Sequence, residues 1–142
     1  ILIGNWNNSA YGKDLREKHK EYKNLLLLDP IYDQQQLDEL RGNCALYIHG
    51  HSVGGTNPSL VEAMNLGLCC VVYNVNYNIE TTENSAIYFG STAELKKILN
   101  DYQNNKIDTG SYRKKMHEIA KRRYLWKTIT DKYNQVFIKC SS

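Results

Sequence analysis

The sequence predicts an α/β fold, a doubly wound parallel sheet that ends in a C-terminal helical tail. Three observations predict it. Short apolar runs at Ile1–Gly4, Leu25–Leu28, Ala45–Ile48, Cys70–Tyr73 and Ile87–Phe89 alternate with segments of helical periodicity, and strands that alternate with helices make a parallel sheet with right-handed crossovers. Leu25–Leu28 is continuous, apolar and stopped by Asp29-Pro30, the mark of a strand buried on both faces. Beyond Phe89 the pattern is helical throughout.

Taken in order, Ile1–Gly4 is a strand that stops at Gly4-Asn5, and Tyr11 to Tyr22 has the charge density of an exposed helix. Gln34 to Arg41 is a short helix with Leu37 and Leu40 facing inward. Ala45–Ile48 is a buried strand, followed by a glycine turn and a helix from Pro58 to Leu66. Asn57 suits the cap of that helix through its side-chain oxygen, and Pro58 suits the first helical position because its missing N–H would be unpaired there. Gly67 ends the helix. Asn74 to Asn84 reads as a polar loop in which Thr82 caps a short helix, and Ile87–Phe89 is a strand near a sheet edge. Thr92 caps a helix carrying Leu95, Ile98 and Leu99; a second runs from about Ser111 to Arg123; a third starts near Trp126, which anchors it to the core.

The chain of 142 residues suffices for one sizeable core, so residues 1–142 are read as a single domain. It opens on what reads as the inside of a strand, which suggests a piece of a longer protein. A net charge of +3 is too small to imply nucleic acid. The densest basic run, Arg113-Lys114-Lys115 to Lys121-Arg122-Arg123, reads as a solvated helix face, with peripheral contact to an anionic membrane surface as its other use. No apolar segment approaches the length that spans a bilayer. Cys44, Cys69, Cys70 and Cys140 form no C-x-x-C pair and read as reduced, buried thiols of a cytosolic protein.

In doubly wound folds ligands sit outside the carboxyl ends of the strands. That rule gathers Asn5, the segment Asp29 to Tyr32 with Ile31, the turn from His49 to Asn57, and Asn74 to Thr82 with Glu80. Glycines 54 and 55 let the backbone approach a ligand with no Cβ in the way. The N–H groups from Gly54, Gly55, Thr56 and Asn57 into the first helical turn, with the helix dipole, favour an anion such as a nucleotide's phosphates. Glu62 points roughly 150° from the centre of the helix's apolar stripe at about 100° per residue, as a solvated glutamate or as a carboxylate that accepts from ribose hydroxyls. His49 and His51 would face one side, but no third residue has metal-ligand spacing, so no metal is expected. His51 is the histidine placed to bond a substrate or leaving phosphate. Tyr32 is placed to stack beside a base, and Glu80 to reach a sugar. Gly50-His51-Ser52-Val53-Gly54 also fits a hydrolase nucleophile elbow, with His117 and Asp101 or Asp108 downstream; an elbow, however, turns straight into its helix.

The segment Gly54 to Met64, with Gly67 and Cys70–Tyr73 behind it, resembles the donor-site segment of GT-B glycosyltransferases of family 4. Ile1 to Asn5 is similar to that family's I-V-G strand, Leu25 to Tyr32 to its V-x-F-L-G strand and loop, Leu37 to Leu40 to the helix after it, and Tyr124 to Tyr133 to its closing W…Y helix. The wording H-G-H-S-V-G-G-T-N-P-S-L-V-E-A-M from His49 to Met64 most resembles rhamnosyltransferases that build bacterial surface polysaccharides.

The resemblance implies the Rossmann-like C-terminal half of a two-domain hexosyltransferase-type enzyme. That half binds a nucleoside diphosphate sugar without metal or other cofactor. An absent N-terminal domain binds the glycan or lipid-linked glycan acceptor, so the fragment alone would be inactive. The expected location is the cytoplasm, with the inner face of the membrane as the alternative that the basic run allows. Glu62 matches the second, ribose-binding glutamate of the family's E-x7-E motif. The first falls at Gly54, which leaves His51 or backbone amides to act in its place. Two rival readings are a nucleotide-sugar epimerase of the same architecture, which would call for acid/base carboxylates around the cleft, and an inactive nucleotide-binding module.

Overall fold

A computed structural model of the chain describes residues 1–140 and divides it into two compact units, Ile1–Glu39 and the remainder from Leu40. In the first unit β1 (Leu2–Ile3) and β2 (Leu27–Leu28) pair in parallel, Leu2 opposite Leu27 and Ile3 opposite Leu28. Between them come a 3-10 turn at Trp6–Asn8 and α1 (Ala10–His19). The Trp6 ring is buried, and its indole N–H donates to the Leu28 carbonyl at 2.7 Å. A Cβ on Gly12 would lie 2.5 Å from the Trp6 carbonyl oxygen, so only glycine lets α1 come this close. The leucine run departs from expectation. Only Leu27–Leu28 is strand, both are half-buried, and Leu26 is exposed. A two-stranded ladder with one helix cannot cover both faces.

The boundary between the units falls inside α2 (Gln34–Gly42). The second unit holds β3 (Tyr47–His49), β4 (Cys70–Tyr73) and β5 (Ile87–Phe89), all parallel, in the order β3-β4-β5. The helices are α3 (Pro58–Asn65) between β3 and β4, α4 (Asn76–Thr81) between β4 and β5, and then α5 (Thr92–Gln103), α6 (Thr109–Arg123) and α7 (Trp126–Cys140). The core is where α3, α6 and β4 meet: Leu60, Ala63 and Met64 pack with Cys70, Val72, Met116, Ile119 and Ala120. Gly67 stands at φ +65 just beyond α3, as a helix-ending glycine should.

The α/β class, the parallel strands and the helical tail are as expected, and six local readings are corrected. Asn74–Asn84 is not a polar loop but contains α4; within it Thr82 caps the helix as expected, at its C-terminal end and buried, its hydroxyl donating to the Asn78 carbonyl at 2.7 Å. Ser91, not Thr92, caps α5 by accepting from the Glu94 N–H. β3 begins at Tyr47, and Ile48 is 45% exposed because only the Tyr47 and His49 side of this edge strand is covered. Trp126 is 83% exposed rather than an anchor, and Cys140 is exposed too. The basic run is not simply solvated: Arg113 donates to the Cys44 carbonyl at 2.8 Å, Arg122 pairs with Glu83, and Arg123 with Glu80 and Glu83. These arginines tie α6 to neighbouring segments. No described helix is long and apolar enough to cross a membrane.

Candidate functional site

Side chains on a strand alternate between faces, so Tyr47 and His49 share one side of β3. The alternation runs on past the strand. The His49 ring stacks on Tyr47, centroids 6.2 Å apart, and on His51 at 4.6 Å with 22° between the planes. His49 is 1% exposed, and its Nε2 has no hydrogen-bond partner among the described residues. Burial, followed by the neighbouring His51, lowers its pKa to about 4. It is therefore an uncharged aromatic platform under the exposed His51 ring. Among the described residues no group of three or more His, Cys, Asp or Glu could hold a metal.

Gly50, His51, Ser52 and Val53 line an open depression of about 410 Å³. The fully buried Asn78 of α4 steadies the start of this loop, its amide donating to the His51 carbonyl at 3.1 Å and to that of Tyr73 at 3.0 Å. From Gly54 to Asn57 the backbone makes a bend, and no described group accepts from the N–H of Gly54, Gly55, Thr56 or Asn57. Gly54 has φ +130, where other L residues are strained, and a Cβ built on either glycine meets nothing within 4 Å. The space beside this backbone is open.

One expectation is corrected at the helix itself. The first-turn amides of α3 are not free. Ser59 N–H donates to Asn57 Oδ1 at 3.1 Å, Leu60 N–H donates to the Asn57 carbonyl at 3.1 Å, and Pro58 has no N–H. Available donors thus lie before the helix, from Gly54 to Asn57. Asn57→Ala should cost about 1 kcal/mol of stability, measured by urea unfolding, through loss of this cap.

Glu62 is half-buried rather than solvated and pairs with Arg41 Nη1 at 2.5 Å. Tyr47 lies in the same neighbourhood: burial raises its pKa, while Ser59, within hydrogen-bond reach, and Arg41 oppose the shift. Glu80 lies on α4, exposed, with its carboxylate 3.4 Å from Arg123 of α6. Asn5, Ile31 and Tyr32 belong to the first unit. There Asn5 leads into the 3-10 turn, Ile31 is half-buried and Tyr32 is 90% exposed. The hydrolase arrangement is absent. Ser52 is followed by five non-helical residues before Pro58. His117 is bonded to the Asn65 carbonyl at the far end of α3, Asp108 caps α6, and Asp101 faces Lys106.

Sequence reasoning missed Arg41 and Asn78. Arg41 pairs across 21 residues with no local signal. Asn78 sits in an asparagine-rich segment whose polarity concealed a helix with one buried face.

No protein-family model and no curated protein matches the chain. Among solved structures, it is similar to Anabaena Alr3699/HepE, determined in complex with UDP, with a TM-score of 0.78 and 21% sequence identity. The match covers 91% of this chain and 37% of that one. The likeness is one of fold: the chain has the Rossmann-like α/β architecture of part of that longer protein.

Proposed function

We propose that this chain binds the nucleoside diphosphate sugar of a glycosyltransferase, with the diphosphate on the Gly54–Asn57 amides and the ribose on Glu62. The observation that carries this reading is the row of four amides, Gly54, Gly55, Thr56 and Asn57, with no acceptor among the described residues, ahead of a capped helix and one turn before a carboxylate. A fold shared with a protein determined in complex with UDP supports it. Glycosyl transfer builds positive charge on the sugar and negative charge on the departing diphosphate. Preorganised N–H dipoles stabilise that negative charge without a divalent metal. His51, exposed above the neutral His49 ring, donates a hydrogen bond to the leaving phosphate. We infer rhamnose as the sugar, from the wording of the His49–Met64 segment, and a surface or lipid-linked glycan as the acceptor. That acceptor is held by another part of a longer enzyme working at the inner face of the membrane.

Calorimetric titration with UDP, GDP and dTDP tests the reading. One of them binds, and Glu62→Ala weakens it by about tenfold to a hundredfold, the worth of a charge-assisted hydrogen bond. A folded protein that binds none of the three overturns the proposal.

A further inference from the structure

We infer that Arg41 is a positioning residue, whose nearly buried guanidinium holds the Glu62 carboxylate in the one orientation that leaves an oxygen for a sugar hydroxyl. The inference rests on the donor-binding reading above.

The Arg41 side chain is 13% exposed and that of Glu62 is 39%, with Nη1 to Oε2 at 2.5 Å. No other described residue donates a hydrogen bond to Glu62. One carboxylate oxygen is thus bound by protein and the other, Oε1, is left for an outside donor. A glutamate on a helix surface ordinarily samples many rotamers, and a ligand that selects one must bear the entropy of fixing it. A guanidinium already immobilised by burial removes that penalty before the ligand arrives. A polar chain links the pair to the diphosphate loop. Ser59 Oγ donates to Asn57 Oδ1 at 2.8 Å, and Tyr47 lies within hydrogen-bond reach of Ser59 and within the field of both Arg41 and Glu62. The residue that caps α3 and the carboxylate one turn later therefore sit in one connected set of side chains.

The test compares UDP with its 2′,3′-dideoxy analogue by calorimetry on the full chain, with the guanosine pair in their place if GDP binds tighter. The wild-type protein prefers UDP because only UDP presents hydroxyls to Glu62. Arg41→Met reduces that preference by about tenfold, to the level of Glu62→Gln, while leaving affinity for the dideoxy analogue unchanged. The Arg41→Met/Glu62→Gln double variant is no worse than Glu62→Gln, because the two residues act as a unit. Arg41→Lys restores part of the preference, and it carries the same comparison if Arg41→Met fails to fold. An Arg41→Met protein that keeps the full preference, or weakens both ligands equally, overturns the inference. Wild-type protein that binds UDP without preference over the dideoxy analogue sinks this inference alone. Wild-type protein that binds no nucleoside diphosphate sinks the donor-binding reading with it.

Discussion

Leu60→Ala is expected to destabilise the larger unit by about 3 kcal/mol, the usual cost of emptying a leucine-sized space in a packed core. Leu60 is fully buried on α3 and packs within the cluster formed by α3, β4 and α6. The cavity would open beneath the helix whose N-terminal end carries the Asn57 cap, so stability and the loop's geometry are coupled. For a unit of this size the melting temperature should fall on the order of 15 °C. Val53→Ala is the control: Val53 is 83% exposed on the rim of the depression, and the change should move stability by less than about 0.5 kcal/mol. Equal losses from the two substitutions would mean that the α3 interface is not the core of this unit.

The second large effect is a loss of stability on acidification. His49 titrates near pH 4 in the folded chain, against about 6.5 for an unperturbed histidine. Above about pH 6.5 the ring is neutral in both states and makes no pH-dependent contribution. As pH falls below that value the unfolded chain takes up a proton and the folded chain does not, so unfolding is favoured progressively. The loss levels off once pH passes below about 4, where the folded ring is protonated too. At about 1.4 kcal/mol per unit of displacement the total is at most about 3.5 kcal/mol. Urea unfolding at a series of pH values should show this slope, and His49→Phe, which keeps a ring in the stack, should remove it. An unchanged slope in that variant would place the proton uptake elsewhere.

Much of the fold was legible because its signals are local. The runs that became β3, β4 and β5, the start of α7 at Trp126 and the stop at Gly67 each follow from a few adjacent residues. Asn57-Pro58 announced the start of α3 for the same reason. Failures came where burial depends on distant partners. The leucine run looked doubly covered, yet its strand has one paired neighbour in its unit. Trp126 has the composition of an anchor and lies open. The asparagine-rich segment after β4 looked like a loop, but Asn78 and Thr82 satisfy their buried polar groups against backbone carbonyls and let a helix form.

At the candidate site, sequence alone determined the kind of surface present: an unobstructed glycine turn, a capped helix and a carboxylate one turn in. Capping and backbone freedom are properties of neighbouring residues, so no tertiary information was needed to see them. Tertiary structure decided which groups meet there. It shielded His49 into neutrality beneath His51 and brought Arg41 onto Glu62 across 21 residues. Such pairings depend on how helices pack on strands, and packing is a sum over contacts that no short stretch of sequence contains.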